Sequence, residues 1–356
     1  MDLTVRNAAL ERIAVIDEFS SLIWTERYSE YGDFELYSPT TQRLLSVLQP
    51  DYYLCLKDSD RVMIVEDVGI ETDAEQGDHL TVAGRSLESI LDRRIIWKQT
   101  ILDGNFQNGI KKLLDENVIN PSDIDRRIPN LVFSASSDPA ITNLSIRAQF
   151  TGDNLYEAIK ALCDVHNIGF KITLSDSLQF VFRLYSGKDR TYSQSENAYV
   201  IFSPSFGNLP HSNYLESKKP LKTVAIIAGE GEGAERKTAE VKASNNGSVG
   251  LNRRELYVDA RDISSTTEEE PLSDADYSEL LSQRGKERLS ENAATQSFEG
   301  QLDTHAQFVY GRDFQIGDIV EIANEYGIRA KARVAEFVRS QSASGVEAYP
   351  TFVMVE

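Results

Sequence analysis

The stretch of the 356-residue chain that most invites a chemical reading is Val224-Ala225-Ile226-Ile227-Ala228-Gly229-Glu230-Gly231-Glu232-Gly233, an apolar run entering a glycine-rich loop. A dinucleotide fingerprint needs a helix next, with its N-terminus facing the pyrophosphate. Here Glu230 and Glu232 would repel that group, and residues 237–243 alternate like a strand, so the pattern predicts a hairpin tip. The four histidines, His79, His166, His211 and His305, stand singly, with no His-x-x-x-His or Cys-x-x-Cys partner, and no protein-built zinc site is expected. Neither a Gly-x-Ser-x-Gly elbow nor a Gly-x-x-x-x-Gly-Lys-Ser/Thr phosphate loop occurs. The commonest sequence-readable hydrolases and nucleotide binders are thereby set aside. Paired carboxylates for glycoside cleavage depend on a separation of about 5 to 10 Å in space, which a chain with 56 acids leaves open.

A second candidate is the charged cluster Arg253-Arg254-Glu255 and Asp259-Ala260-Arg261-Asp262, flanking the apolar Leu256-Tyr257-Val258. Alternating signs on a strand form cross-strand or subunit-bridging ion pairs, and the planar guanidinium suits carboxylate contacts. Catalysis would need a nucleophile or metal beside them, and the sequence indicates neither. Arg253, Arg254, Glu255, Asp259, Arg261 and Asp262 are therefore expected to serve assembly or fold fixing, and no catalytic, cofactor-binding or metal-ligating residue is expected.

Composition narrows the partners. At 41% hydrophobic and 26% charged the chain is an ordinary globular one, with no run near the roughly 18 apolar residues of a membrane span, so no membrane insertion is expected. The net charge of −19 is spread over both parts, −11 in residues 1–200 and −8 in 201–356. No basic face is available to grip nucleic acid or an anionic membrane. Cys55 and Cys163 lie far apart in apolar settings and read as buried thiols, which fits assembly in a reducing cytoplasm. The segment Met1-Asp2-Leu3-Thr4-Val5-Arg6 carries no signal-peptide pattern.

Positioning these residues falls mainly to β-structure. Short runs rich in Val, Ile, Tyr and Phe at 10–16, 21–25, 34–37, 53–57, 62–70 and 79–83, with tight turns between them, predict a β-barrel or sandwich over residues 1–97. Residues 98–200 read as a small α/β domain: amphipathic helices at 106–114 and 155–165 precede a hairpin at 170–174 and 179–184. After Pro204 and Pro210 the strands return at 223–228, 236–243 and 253–259. An acidic insertion at about 262–296 then holds a helix over 273–292, capped by Ser273. Within it residues 262–279 carry seven acids and no base, read as helix-start chemistry rather than a calcium loop. Strands at 298–302, 316–322, 328–338 and 349–355 complete a second β-domain, 201–356.

These two β-domains share a layout. Residues 51–84 and 318–352 each run as an apolar strand, a polar turn (57–60; 324–327) and a long strand, then a loop ending in Gly77 or Gly345 and a last strand. The long strand carries Val65-Glu66-Asp67-Val68 in one copy and Ala335-Glu336-Phe337-Val338 in the other. Aligning Glu66 with Glu336 requires a two-residue deletion in the loop, and the layout predicts two versions of one barrel with other structure inserted between them.

Five stretches in order resemble the tail-hub proteins of long-tailed phages of Gram-positive hosts. They are Trp24-Thr25-Glu26-Arg27-Tyr28 with Tyr31-Gly32-Asp33-Phe34-Glu35-Leu36 and Pro39; Gly84-Arg85-Ser86-Leu87-Glu88 through Ile96; Thr151-Gly152-Asp153-Asn154-Leu155 with Gly169-Phe170; Gly250-Leu251-Asn252-Arg253-Arg254-Glu255 through Asp262; and Gly317-Asp318-Ile319-Val320. The resemblance implies a mainly β fold with α/β insertions: two tail-tube-like antiparallel β-barrels, a small α/β domain and an inserted helix. It also implies a non-enzymatic homotrimeric ring at the distal end of the tail tube in the virion. Its partners would be distal tail ring and tail-tube proteins above and spike, fibre or tip proteins below, with DNA passing through and not specifically bound. Two barrels per chain would let three chains dock on a sixfold tube. The final expected strand ends near Glu356, leaving no room for a hydrolase or receptor-binding extension. Other readings are a carbohydrate-active tail component acting on the host cell wall, and the hub of a phage-derived contractile particle.

Overall fold

The structure, a computed structural model, describes residues 1–355 apart from 74–76, 210, 244–248, 268–270, 302–306, 325 and 327–328. Pro210, His305, Leu302, Gly327, Ile328 and the three glutamates of the acidic stretch, all named above, lie outside the described residues.

Along the chain, β1 (Leu3–Arg6), β2 (Arg12–Ile16), β3 (Ser21–Arg27) and β4 (Asp33–Pro39) precede a short helix, α1 (Gln42–Val47), after which come β5 (Tyr53–Leu56), β6 (Val62–Asp73) and β7 (Gly77–Ser86). Next are β8 (Thr100–Asn105), α2 (Phe106–Leu114), β9 (Leu131–Ser134), α3 (Pro139–Thr142), β10 (Ser145–Phe150) and α4 (Leu155–His166). Then follow β11 (Gly169–Leu174), β12 (Phe180–Tyr185), β13 (Ile201–Phe202) and β14 (His211–Ser217), and after them β15 (Val224–Ala228), β16 (Thr238–Lys242), β17 (Glu255–Asp259) and α5 (Asp274–Glu291). The chain closes with β18 (Thr295–Gln301), β19 (Ile319–Ala323), β20 (Arg329–Ser342) and β21 (Gly345–Met354).

Both longer helices start at a side-chain cap, α5 at the Ser273 expected from the sequence and α4 at Asn154. The Asn154 side chain accepts from the backbone N–H of Tyr156 and Glu157 at 2.9 and 3.2 Å, and Ser273 accepts from that of Asp276 at 3.1 Å. Asn167, at φ +54°, ends α4 in the left-handed region. The expected strand at 10–16 is shorter, because Leu10 at φ +65° belongs to the β1–β2 turn. Strands β1, β8, β9, β10, β13 and β14 were not predicted; they are two to seven residues long and carry little periodicity.

The chain does not divide at residues 97 and 200. One compact unit takes Met1–Ser89, Gly169–Leu215 and Ser297–Glu356, and a second takes Ile90–Ile168 and Glu216–Gln296. The second unit is thus two insertions into the first. Within it, α5 packs on a sheet ordered β16-β15-β17 over a core including Ala225, Ile227, Val258, Tyr277 and Leu281.

The first unit carries the internal repeat, inside one 13-stranded sheet. Six strands run in space as β3-β4-β7-β6-β5-β1, and six more as β14-β18-β21-β20-β19-β13. The order is the same rank for rank, and β2 is the addition to the first set. Each long hairpin has a bulge at one place, Glu66 between the pairs Val65↔Gly84 and Asp67↔Ala83, and Ala335 between Val334↔Phe352 and Glu336↔Thr351. From that bulge seven residues remain on the outgoing strand (67–73; 336–342) and seven on the return (77–83; 345–351). The correct alignment therefore sets Glu66 on Ala335, not on Glu336, and the loops differ by one turn residue, not two. Phe34↔Gly84 and Glu35↔Ala83 match Phe298↔Phe352 and Glu299↔Thr351 in register. One matched pair differs in direction, β1 being antiparallel to β5 and β13 parallel to β19.

Burial follows the repeat. Leu54 and Leu56 match Val320 and Ile322, and Met63 and Val65 match Ala332 and Val334; all eight are buried. Each half has its own core, the first around Leu3, Leu22, Trp24 and Leu36, the second around Phe202, Phe314, Val334 and Phe352. Burying such a side chain contributes about 1.5–3 kcal/mol, so each half has an apolar core of its own to hold its strands. The expected closed barrels are not formed by the pairing: among the described residues each half is an open arc, and the two are fused where β3 pairs with β20.

Candidate functional site

The predicted charged cluster separates into three places along β17. Arg253 donates to Glu255 at 2.6 Å and to Glu240 of β16 at 3.4 Å. Arg254 acts through its backbone, accepting from Thr223 N–H at 2.8 Å and donating to Thr223 Oγ1 at 2.9 Å, while its guanidinium reaches the Lys218 carbonyl. At the far end Asp259 accepts from Arg236 and Arg261, each at 2.6 Å. The two guanidiniums hold the exposed Asp259 carboxyl down to about 2, Arg261 contributing most. Asp262 instead accepts from the buried Arg284 of α5 at 2.9 Å.

Arg284 also sits 3.5 Å from Glu287, a carboxylate that, unlike Asp262, is buried. Burial pushes Glu287 up to about 7 although Arg284 pulls the other way. A carboxyl with a raised folded value binds more protons folded than unfolded between pH 4.5 and 7, so stability falls as pH rises through that window and levels off above it. We expect up to about 3 kcal/mol of this slope in urea titrations of the full chain, and its loss in Glu287→Gln. An unchanged slope in that variant would refute the assignment.

The densest set of buried charges lies in the other unit, at the junction of its halves, and composition and spacing did not reveal it. β3 and β20 pair antiparallel from Arg27↔Glu336 to Leu22↔Gln341. Glu26, 2% exposed, accepts from Ser59 Oγ at 2.7 Å, from Tyr310 Oη at 3.1 Å and from Arg339 of β20. Arg27 donates to Glu336 at 2.6 Å and to Asp33. Tyr28 donates its N–H to the bulge carbonyl of Ala335 at 3.0 Å, and its ring enters the second core under the Arg333 guanidinium. Glycine is required beside that ring: a Cβ on Gly169 or Gly317 would lie 2.4 Å from it.

Next to this junction Arg61 and Glu88 form a buried ion pair. Glu88 also accepts from Ser86 Oγ and from the Ile172 N–H at 2.8 Å, and Arg61 donates to the Arg27 carbonyl and to Tyr185 Oη, both at 3.0 Å. Burial opposes the Arg61 charge, but Glu88 and the neighbouring Tyr185, Asp60 and Glu26 outweigh it and hold the guanidinium above its ordinary value. Burial likewise pushes the Tyr185 and Tyr310 hydroxyls up. A polar cavity of about 310 Å³ borders the network between Asp58, Asp60, Lys171, Tyr310 and Arg339. Lys171 pairs with Asp60 there, as Arg339 does with Glu26, so the charges neutralise one another and lock backbone in place.

The stretches that carried the resemblance end up in these contacts. Glu26, Arg27, Tyr28, Asp33, Ser86 and Glu88 build the junction, and Asp318 fixes the start of β19 by accepting from Arg190 at 2.6 Å and the Lys188 N–H at 2.7 Å. Among the described residues no group of three His, Cys, Asp or Glu side chains converges as a metal site, and no helix is long and apolar enough to cross a membrane.

Comparison with known proteins gives a consistent answer. The model of the family described as Siphovirus ReqiPepy6 Gp37-like protein matches residues 2–352. The fold is similar to the 43 kDa tail protein of prophage MuSo2 from Shewanella oneidensis, with TM-score 0.60 at 13% identity, covering 99% of this chain and 98% of that one. It is also similar to the tail protein from Neisseria meningitidis MC58, with TM-score 0.57 at 14% identity over 99% and 95% of the two chains. Prophage tail protein gp18 from Listeria monocytogenes EGD-e gives TM-score 0.55 at 13% identity, over 99% and 94%. No curated protein sequence matches.

Proposed function

Since the chain belongs to the Siphovirus ReqiPepy6 Gp37-like family, a family of phage tail proteins, we propose that it is a structural, non-enzymatic tail hub. Three copies form a ring at the distal end of the tail tube, joining tube and distal tail ring to spike, fibre or tip proteins and enclosing part of the DNA path in the virion. The observation that carries this reading is the repeat: two six-strand halves of the same order, with bulges at the same register, fused in one sheet. Three chains then present six similar units to a sixfold tube and three to the tip. The net charge of −19 suits a conduit that DNA must cross without adhering, because like charge repels phosphate. Arg253, Arg254, Glu255, Asp259, Arg261 and Asp262 are assigned to fixing the β15–β17 sheet and its contact with α5, since Arg254 bonds Thr223 and the Lys218 carbonyl and the charges of the other five are spent on one another and on Glu240, Arg236 and Arg284. Native mass spectrometry of the full chain should give a species of three copies; monomers alone, even with tail partners added, would overturn the reading.

A further inference from the structure

The repeat also indicates how one copy would meet the next. In the chain, β20 serves two partners on one edge: residues 329–333 pair with β19, and beyond the bulge 336–341 pair with β3 of the other half. Its counterpart β6 is built alike, with residues 62–64 pairing β5 on the near side of the Glu66 bulge. Beyond that bulge, among the described residues, no strand lies against the edge of 67–72 that faces away from β7. The consequence is visible in burial. Phe337 and Val338 are 3% and 8% exposed under β3, whereas their equivalents Val68 and Gly69 are half-buried and exposed, and Ile70 is 54% exposed.

The strand equivalent to β3 in the second half is β14, and among the described residues β14 is the end strand of the sheet. Its sequence Tyr214-Leu215-Glu216 lines up with Trp24-Thr25-Glu26. Trp24 packs in the first core and Tyr214 against the second. A chain that ends in the equivalent of β3 and offers an unfilled equivalent of the β20 edge has both sides of one junction. Resting on the three-copy ring proposed above, we infer that β14 of one copy pairs antiparallel with residues 67–72 of β6 in the next, repeating between chains the β3–β20 junction made within each. The occupant of that edge is a second copy of this chain. Carrying over the β3–β20 register places Tyr214 opposite Ile70, Leu215 opposite Gly69 and Asn213 opposite Glu71. Ile70 and the 53% exposed Leu215 would then be covered, which removes the hazard of an open apolar edge. A contact between two different surfaces is head-to-tail, the type that closes into rings.

Cysteine pairs test this in the full-length protein. Leu215→Cys combined with Gly69→Cys should, on oxidation, give covalent dimers and trimers on a denaturing gel, at least tenfold above either single variant and above the out-of-register pair Leu215→Cys with Glu71→Cys. Ile70→Asp, at a position 54% exposed on the outer part of the β6–β7 hairpin, should largely keep the thermal transition and weaken trimer formation at least tenfold. Trimers by native mass spectrometry with no in-register cross-link, or trimers undisturbed by Ile70→Asp, would overturn this junction and leave the hub reading standing. A chain that stays monomeric at every concentration would overturn both.

Discussion

Replacing Glu88 by alanine will lower the unfolding free energy by about 3–5 kcal/mol, the cost of leaving a buried charge without its partner. Glu88 is fully buried and Arg61 nearly so, and the pair is closed on every side: Ser86 and the Ile172 N–H donate to the carboxylate, and the Arg27 carbonyl and Tyr185 accept from the guanidinium. Deleting the carboxylate takes an acceptor from the guanidinium, a hydroxyl and an amide at once, all of them at buried positions. Glu88→Gln keeps an acceptor for Ser86 and Ile172 and should cost less than alanine, which separates loss of charge from loss of hydrogen bonds. Urea unfolding measures both. A change below about 0.5 kcal/mol in the alanine variant, the range of ordinary surface substitutions, would show that the network is not a structural support.

The second large effect concerns the joint itself. Glu26→Ala removes the acceptor shared by Ser59, Tyr310 and Arg339, and so unpairs groups contributed by both halves. We expect a loss of about 2–4 kcal/mol, since Glu26 is as buried as the core side chains around it. A double-mutant cycle with Arg339→Met isolates the pair, and a coupling of about 1–3 kcal/mol is expected for residues in direct contact. Arg339 also lies over the Tyr310 and Phe337 rings, at 5.1 and 4.9 Å, and methionine keeps much of that apolar stem contact, so the cycle reports mainly on the charge. Additive effects would mean that Glu26 and Arg339 stabilise their own halves independently and do not join them.

Much of this was legible in the sequence because it depends on local signals. Alternation gave β3, β4 and the β11–β12 hairpin, helical spacing gave α2 and α4, and Ser273 marked a helix start that the structure confirms. The glycine-rich run at 229–233 is the β15–β16 hairpin tip expected from its repelling glutamates. Other features are set by distant partners. Aligning Glu66 with Glu336 is off by one residue because bulge position depends on cross-strand pairing, to which a shared glutamate is no guide. The Arg61–Glu88 pair joins residues 27 apart and closes on Ile172, 84 positions from Glu88, a contact no spacing rule reaches. The interleaved division of the chain was hidden for the same reason: β14 and β18 are neighbours in the sheet although the whole of residues 218–294 lies between them.

Electron-microscope class averages of the purified ring, with the copy number fixed by native mass, probe the role of the repeat most directly. Three polypeptides per ring with six similar lobes are the predicted outcome, each lobe holding one six-strand half. Six polypeptides per ring, or three with only three lobes, would mean that the duplicated half does not imitate sixfold symmetry.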